Sequence, residues 1–571
     1  MRRSPRPVVA RLLVVAVAAL LPAGPVAAAG ATGKAAIASA HPLATEAGRE
    51  ILAAGGNAFD AAVAVSAALA VVEPYSSGLG GGGFWLLHTE GGRDVMVDGR
   101  EAAPAAASRT MYQDADGEVI DGASINGPKA AGVPGEPAAL AHIAAEYGEL
   151  PLSRSLAPAI RHAREGFEVG ETYRMLAEFR RDVLRRHPRA AAIFLDDGKV
   201  PAAGTVIRQP DLARTLQRLA AKGRAGFYQG PVARELARSN QAAGGLITTE
   251  DLAAYRVKER APITAEVAGH RIVSAAPPSS GGVALVQILR MLRAADYGQA
   301  DRAERLHLAI EAMRRAYRDR AVHLGDTDFV EVPSERLISR AYNAGLAATI
   351  HPGKALPSKY LPGPPAARNK GRDTTHFSVI DGDGNRVAAT LSINYPFGSG
   401  FVAGDTGVVL NDEMDDFVAK PGVPNVYGLV GGEANAIAPG KRPLSSMTPT
   451  FVEGPDATLI VGTPGGSRII TMVTRAVMGM LWDEGGAAAL KHWVGRPRFH
   501  HQYLPDAVQH EPDTFTKAER QALAERGHGF KAVGRRFGDM QAILWHRASG
   551  ELQVAADPRG EGSGAVFDPA P

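Results

Sequence analysis

The character of the chain changes between His351 and Asp373, and any fold has to accommodate that break. The segment holds five prolines (Pro352, Pro357, Pro362, Pro364 and Pro365) and the polar run Arg368-Asn369-Lys370-Gly371-Arg372, with almost no periodic apolar signal. It reads as an exposed linker or a processing segment. Directly behind it the chain turns β-rich. Thr375 to Ile380 predicts a strand, Asp381 to Asn385 a turn, and Val387 to Ile393 the returning strand of a hairpin. Val408 to Leu410, Leu459 to Gly462 and Gln541 to Trp545 read as further strands, and residues 467–482 as a helix.

Ahead of the break the sequence is mostly helical. Two Ala-rich helices are predicted. The first runs from Leu43 to Ala54 and is stopped by Gly55-Gly56-Asn57; the second runs from Phe59 to Val72 and ends before Pro74. A glycine loop follows at residues 78–83, then a buried strand from Phe84 to Leu87 and a short strand from Val95 to Asp98. Residues 138–260 read as helical and charged. Residues 303–322 predict an amphipathic helix, with Leu306, Ile310, Met313 and Tyr317 on one stripe and Arg and Glu over the rest. The 571 residues by themselves suggest three or four domains of about 150 residues each.

The N-terminus reads as a secretory signal over residues 1–29. Arg2, Arg3, Arg6 and Arg11 precede the apolar run Leu12 to Leu21, and Ala27-Ala28-Ala29 offers an A-x-A cleavage site. That run is shorter than the roughly 20 apolar residues of a membrane span. The mature protein is therefore expected to be exported, periplasmic or secreted, with no span after signal removal. Lys+Arg 63 against Asp+Glu 60 gives no reason to invoke nucleic acid. The absence of cysteine excludes disulfide scaffolds, thiolate metal centres and a cysteine nucleophile.

Three local motifs promise more than their context allows. Residues 78–83 spell G-x-G-x-x-G, but dinucleotide binding needs a strand before the glycines and a helix after them; here the order is reversed, which favours a close-packed backbone turn. Asp381, Asp383 and Asn385 begin like a calcium loop, yet its sixth position is Arg386 and its twelfth Ser392. His500-His501 has no spaced third ligand. No metal and no cofactor is expected.

The stretch Asp373-Thr374-Thr375-His376 is more informative. By itself Thr374 is a hydroxyl residue opening a strand. Cleavage before it would give it a free α-amine with a pKa of about 7.7–8.0, so near neutral pH much of that amine is an unprotonated base beside its own hydroxyl. A threonine paired with its N-terminal amine is a recognised activated nucleophile.

From Thr374 to Val379, and through Gly384-Asn385, Thr390-Leu391-Ser392-Ile393-Asn394 and Phe397-Gly398, the sequence resembles the gamma-glutamyltransferase (gamma-glutamyltranspeptidase) family of N-terminal nucleophile hydrolases. Residues 39–83, Asp98 to Pro104, Asn411 to Phe417, Arg442 to Met447, Gly465 to Arg468 and Ala556 to Gly560 look like family segments in family order. The resemblance implies an α+β fold, a four-layer αββα sandwich formed jointly by two chains cut from one precursor at the Asp373–Thr374 bond. The large subunit would be residues 30–373 and the small, catalytic subunit 374–571, together a heterodimer with one core. It implies Thr374 as nucleophile toward glutathione and other γ-glutamyl donors, with water, an amino acid or a dipeptide as acceptor. Gly465 and Gly466 match the oxyanion hole. Arg100, Ser445 and Ser446 match groups on the donor's α-carboxylate; Glu413, Asp416 and Asn394 match those around its α-ammonium. Residues 420–441 resemble a lid loop with Tyr427 as its gating aromatic, so a partly shielded pocket is expected. At Ser392 the family often has Thr; serine keeps the hydroxyl but loses the methyl, which predicts retained activity and slower self-cleavage.

Two other readings stand beside this one. A glutaryl (cephalosporin-type) acylase of the same fold acts on a substrate lacking the α-ammonium, which would leave Asp416 a buried charge without a partner. A catalytically silent binding or surface protein would not need Thr374, Arg100 and Asp416 together.

Overall fold

The computed structural model describes residues 32–363, 374–482 and 489–569. The expected signal segment and Asp373 lie outside the described residues. Two antiparallel sheets form the centre. The seven-stranded sheet runs in the order Ser563–Phe567, Ala35–Ser39, Thr375–Ile380, Arg386–Ser392, Gly82–His88, Asp94–Gly99 and Lys258–Arg260. The six-stranded sheet runs Glu551–Ala556, Gln541–His546, Ala457–Gly462, Thr450–Glu453, His270–Ser274 and Ile263–Val267. Both sheets draw strands from both sides of the break at 351–373. Neither central sheet belongs to one side alone; only a two-stranded sheet before the break (Phe167–Glu168 with Val206–Ile207) and a three-stranded one after it (Phe499–His500, Val508–His510 and Phe530–Ala532) do, so the domain count suggested by length alone does not hold.

Strand alternation sorts the layers. Trp85 and Leu87 join one apolar core with the helices Pro42–Ala53 and Ala58–Val72. Their neighbours Phe84 and Leu86 join a second core with Phe451, Leu459 and Ile543 of the other sheet. That second core continues into the helices Gly281–Ala294, Arg302–His323 and Ile469–Leu481. The result is helix, sheet, sheet, helix. The helix Ala58–Val72 is buried at every position, which its small side chains permit, and Asn57 with Asp60 closes its start as a capping box. Asp381, which opens the calcium-like run, instead accepts the N–H groups of Ala58, Asp383 and Asn385. It fixes the hairpin turn and the adjoining helix start.

The glycine loop is the close-packed turn its context suggests. A Cβ on Gly80 would lie 1.8 Å from the carbonyl oxygen of Val409. Two expectations are corrected. Val408 to Leu410 is not a strand; its ladder pairing stops at the isolated bridges Gly80–Leu410 and Val402–Val409, and its other backbone bonds go to the adjoining turn at Ser399, Phe401 and Ala403. The helix Arg302–His323 is not solvent-facing on its charged side: Glu311, Arg314, Arg315, Asp319 and Arg320 are all buried. Part of what covers it comes from residues 351–363. Eight of these thirteen residues are exposed, as expected, but Ala355 and Ser358 are buried and the segment is tied to the body of the fold. Ala355 N donates to Arg526 O at 2.7 Å, Ser358 N to Asp506 Oδ2 at 2.7 Å, and Arg314 Nη1 to Ser358 Oγ at 2.7 Å. Among the described residues no helix is long and apolar enough to cross a membrane.

Candidate active site

Thr374 immediately precedes the strand Thr375–Ile380 at the end of the central hairpin, and it is 6% exposed. The hairpin register brings the end of the returning strand alongside it. Leu391 pairs with Thr375, and Ser392 Oγ lies 3.4 Å from Thr374 Oγ1. Ser392 Oγ also accepts the N–H of Asn394 at 2.8 Å. Thr374 lines two cavities. One, of about 330 Å³, includes Glu73, Gly465, Asp539 and Arg559. The other, of about 20 Å³, is lined by Ser392, Asn394, Glu413, Asp416, Tyr427, Ser445, Ser446 and Gly466. The hydroxyl of Thr374 therefore stands between a roomy chamber and a small polar one.

Gly465 and Gly466 begin the turn that runs into the helix Ile469–Leu481. Their N–H groups sit at the electropositive start of that helical run, which suits a developing oxyanion. Gly466 has φ of +57°, and a Cβ there would fall 2.2 Å from the ring of Tyr427. Glycine is thus required for the tyrosine ring to pack on it. Tyr427 is 5% exposed, and its OH donates to Asn394 O at 2.5 Å. Gln502 Nε2 holds the carbonyl of Gly428 at 3.0 Å. The loop covers the small chamber in this structure.

Charge in that chamber is concentrated on one cluster. Arg100 is fully buried and donates to Glu413 Oε1, to Asp416 Oδ2 at 2.5 Å and to Pro443 O at 3.1 Å. Its guanidinium lies behind the two carboxylates and is not among the lining residues of the small chamber. Burial raises the carboxyl of Asp416 above its usual range, with Arg100 opposing. Burial likewise pushes Glu101, 3.6 Å from Arg100 Nη1, up to about 7. Asn394, with φ of +72°, donates from Nδ2 to Asp412 O at 2.9 Å. Ser445 Oγ accepts Met447 N at 3.0 Å. Ten of the residues singled out from the sequence line the small chamber or, for Gly465, the large one; Arg100 is brought into the cluster from behind.

Sequence reasoning missed the residues that hold these groups in place. Asn411 Oδ1 accepts the N–H of Glu413 and of Gly132, and its Nδ2 donates to Gly80 O and Gly132 O. Thr375 Oγ1 donates to Glu73 Oε2 at 2.7 Å. Arg320 Nη2 donates to Ser446 Oγ at 3.2 Å. For Arg320 a signal existed: it is the next step of the stripe 306, 310, 313, 317, a charge at an apolar-stripe position. His500 and His501 are structural: His500 bonds Thr471 and Gln502, and His501 bonds Asp506. Among the described residues no group of three His, Asp or Glu could hold a metal.

Comparison with known proteins gives a consistent answer. Residues 44–567 match the profile of the family described as Gamma-glutamyltranspeptidase. The chain is 43% identical over 536 residues to the glutathione hydrolase proenzyme of Escherichia coli (strain K12), covering 92% of this chain and 90% of that protein. It is 36% identical over 533 residues to the acylase ACY 1 proenzyme of Pseudomonas sp. (strain SE83), covering 92% of each. Among solved structures, the cephalosporin acylase from Bacillus halodurans superposes with a TM-score of 0.81 at 30% identity, covering 94% of this chain and 96% of that one.

Proposed function

The chain belongs to the gamma-glutamyltranspeptidase family, and on that premise we propose that it is a gamma-glutamyltransferase and glutathione hydrolase whose nucleophile is Thr374. The observation that carries this reading is the position of Thr374 Oγ1. It stands beside Ser392 and the start of the Gly465-Gly466 turn, and it opens onto a chamber that holds Glu413, Asp416, Ser445 and Ser446.

The precursor first cuts itself. Thr374 Oγ adds to the carbonyl of residue 373, the C–N bond breaks to leave an ester and free the α-amine, and water hydrolyses the ester to release the carboxylate of residue 373 and the Thr374 hydroxyl. In the mature enzyme that amine takes the proton of Thr374 Oγ as the oxygen attacks the γ-carbonyl of the donor. The N–H groups of Gly465 and Gly466 receive the oxyanion, each such donor being worth about 3–4 kcal/mol. Collapse breaks the amide bond, and the amine leaves with the proton. The γ-glutamyl ester then passes to water or to the amine of an amino acid or dipeptide.

The small chamber suits the donor's zwitterionic head. As the α-ammonium approaches Glu413 and Asp416 it replaces Arg100 as a partner, and the released guanidinium N–H groups turn to the α-carboxylate, with Ser445 and Ser446 beside it. The larger chamber accepts the leaving group and then the acceptor. Tyr427 closes the lid over the reacting carbonyl. Residues 1–29 act as the export signal, so the enzyme meets its donors outside the cytoplasm.

The likeness to acylases gives a second reading some weight, a glutaryl substrate in the same chamber. Glu413 and Asp416 favour the γ-glutamyl donor, because among the described residues the two carboxylates share the single ion-pair partner Arg100 and a glutaryl substrate brings no second cation to them. Faster turnover of glutaryl anilide than of γ-glutamyl anilide would reverse the choice. The mechanism itself is tested by N-terminal sequencing of the smaller fragment of purified protein, which should begin at Thr374. Thr374→Ala should remain a single chain with turnover lower by about 10⁴-fold or more. A fragment starting elsewhere, or an active Thr374→Ala variant, overturns it.

A further inference from the structure

Arg320 lies next to the small chamber and is 4% exposed. Among the described residues it forms no ion pair, although Asp416 is near enough to act on it electrostatically. A buried guanidinium without a carboxylate partner is costly unless something else compensates it. Here the compensation comes from two hydroxyls. Arg320 Nε donates to Ser280 Oγ at 2.9 Å, and Nη2 donates to Ser446 Oγ at 3.2 Å.

The polarity of these bonds is fixed, because a guanidinium can only donate. Both serine oxygens are therefore acceptors. The proton of Ser280 goes to Ser445 O at 2.7 Å. Ser445 Oγ is itself an acceptor, from Met447 N. In the bonds that anchor them, then, Ser445 and Ser446 both use their oxygens as acceptors, and both hydroxyl protons remain to be donated. Both side chains line the small chamber. Two aimed O–H donors need an acceptor, and an α-carboxylate supplies it. The charges agree. Arg100 and Arg320 balance Glu413 and Asp416, and burial pushes Glu101, behind Arg100, toward its neutral form, so a zwitterionic head enters a nearly balanced site. Without Arg320 the site carries one net negative charge that repels the incoming carboxylate.

We propose that Arg320 is a positioning residue for the donor's α-carboxylate, orienting the Ser446 hydroxyl as a hydrogen-bond donor and, through Ser280, fixing the backbone of Ser445. The inference rests on the γ-glutamyl reading of the site.

The test compares Arg320→Gln and Arg320→Lys with the natural enzyme on two donors: γ-glutamyl anilide, and the same anilide with its α-carboxylate converted to a carboxamide. For Arg320→Gln the KM of the carboxylate donor should rise about 10- to 100-fold, with kcat reduced by less than about threefold. KM for the carboxamide donor should change by less than about threefold, and Arg320→Lys should recover part of the loss. On a Ser446→Ala background, Arg320→Gln should add less than about twofold, because the two residues act as a unit. Equal losses on both donors, a fall confined to kcat, or full additivity with Ser446→Ala would each overturn the proposal. If Arg320→Gln fails to mature into two fragments, the donor ratio of Arg320→Lys decides by the same criterion. Failure of the natural enzyme to turn over γ-glutamyl anilide would instead overturn the reading of the site itself.

Discussion

Arg314, Arg315 and Arg320 lie within two turns of one helix and are equally buried, at 2%, 2% and 4% exposure, yet their surroundings differ in kind. Arg314 and Arg315 share Glu311, with contacts of 3.1 and 2.6 Å. Arg314 also pairs with Asp506, and Arg315 donates to Thr349 O at 3.0 Å. Arg320 has only serine hydroxyls. In the first cluster each guanidinium has a carboxylate in contact; in the second the guanidinium contacts only hydroxyls, one of which lines the chamber. Burial alone therefore does not separate a structural arginine from a functional one; the chemistry of its acceptors does.

The largest expected effect breaks the first cluster. Glu311→Ala leaves two buried guanidinia without their shared carboxylate, and should cost about 3–5 kcal/mol of stability, read as a lower urea midpoint. KM for the donor should stay within about twofold of the natural value. A shift in KM comparable to that of Arg320→Gln would mean that the whole helix serves the chamber and that the distinction is false.

Much of this helix was legible in the sequence and its role was not. The stripe Leu306, Ile310, Met313, Tyr317 gave its position to within a residue, because helical periodicity is a local signal. The hairpin 375–393 was legible for the same reason: alternation flanking the Asp-Gly-Asp-Gly-Asn turn needs no distant partner. The charged face was misread as solvent-facing because what covers it comes from elsewhere in the chain. Asp506 reaches Arg314 and Ser446 reaches Arg320 across well over a hundred residues, which no sequence window contains. Val408 to Leu410 failed similarly, since its β-rich composition could not reveal that its neighbour is a glycine turn. The site residues were recovered as a set only through the family resemblance; singly, Ser445 or Asn394 is indistinguishable from any turn residue.

The next effect in size separates the clusters by pH. Beside the Arg314–Asp506 pair lie His501 and His528, and His307 Nε2 donates to His351 O, so its Nδ1 accepts from His528 Nε2 at 2.8 Å. Burial lowers His528 to about 2 and His501 to about 4. These imidazoles remain neutral in the folded protein, whereas the unfolded chain takes up protons below the ordinary value of about 6.5. Their contribution is fully present above pH 6.5 and is lost as pH falls toward those lowered values, by up to about 1.4 kcal/mol per pH unit for each imidazole. Unfolding midpoints between pH 6.5 and 4.5 should fall, and His528→Asn should reduce the slope by about one proton. No histidine lines the small chamber, so any pH dependence of KM should follow the carboxyls of Asp416 and Glu101 and be unaffected by His528→Asn. A pH-independent midpoint would show that the imidazoles take up protons alike in the folded and unfolded states.

The smallest expected effect probes the second cluster where it is least obviously functional. Ser280 occupies the cap position of the helix Gly281–Ala294, but its hydroxyl makes no capping bond to that helix. It accepts from Arg320 and donates to Ser445 O, which also receives the N–H of Ser280 at 2.8 Å. Ser280→Ala removes one of the two acceptors of Arg320 and leaves the backbone tie intact. The net value of such a bond is about 1 kcal/mol, more when one partner is charged. Arg320 keeps Ser446, so KM for the carboxylate donor should rise only about three- to tenfold, with kcat nearly unchanged and the carboxamide donor unaffected. A loss of stability with no change in KM would make Ser280 a filler of the helix start. Arg320 would then resemble Arg314 and Arg315 more closely than its acceptors suggest, and the contrast drawn along this helix would be one of degree.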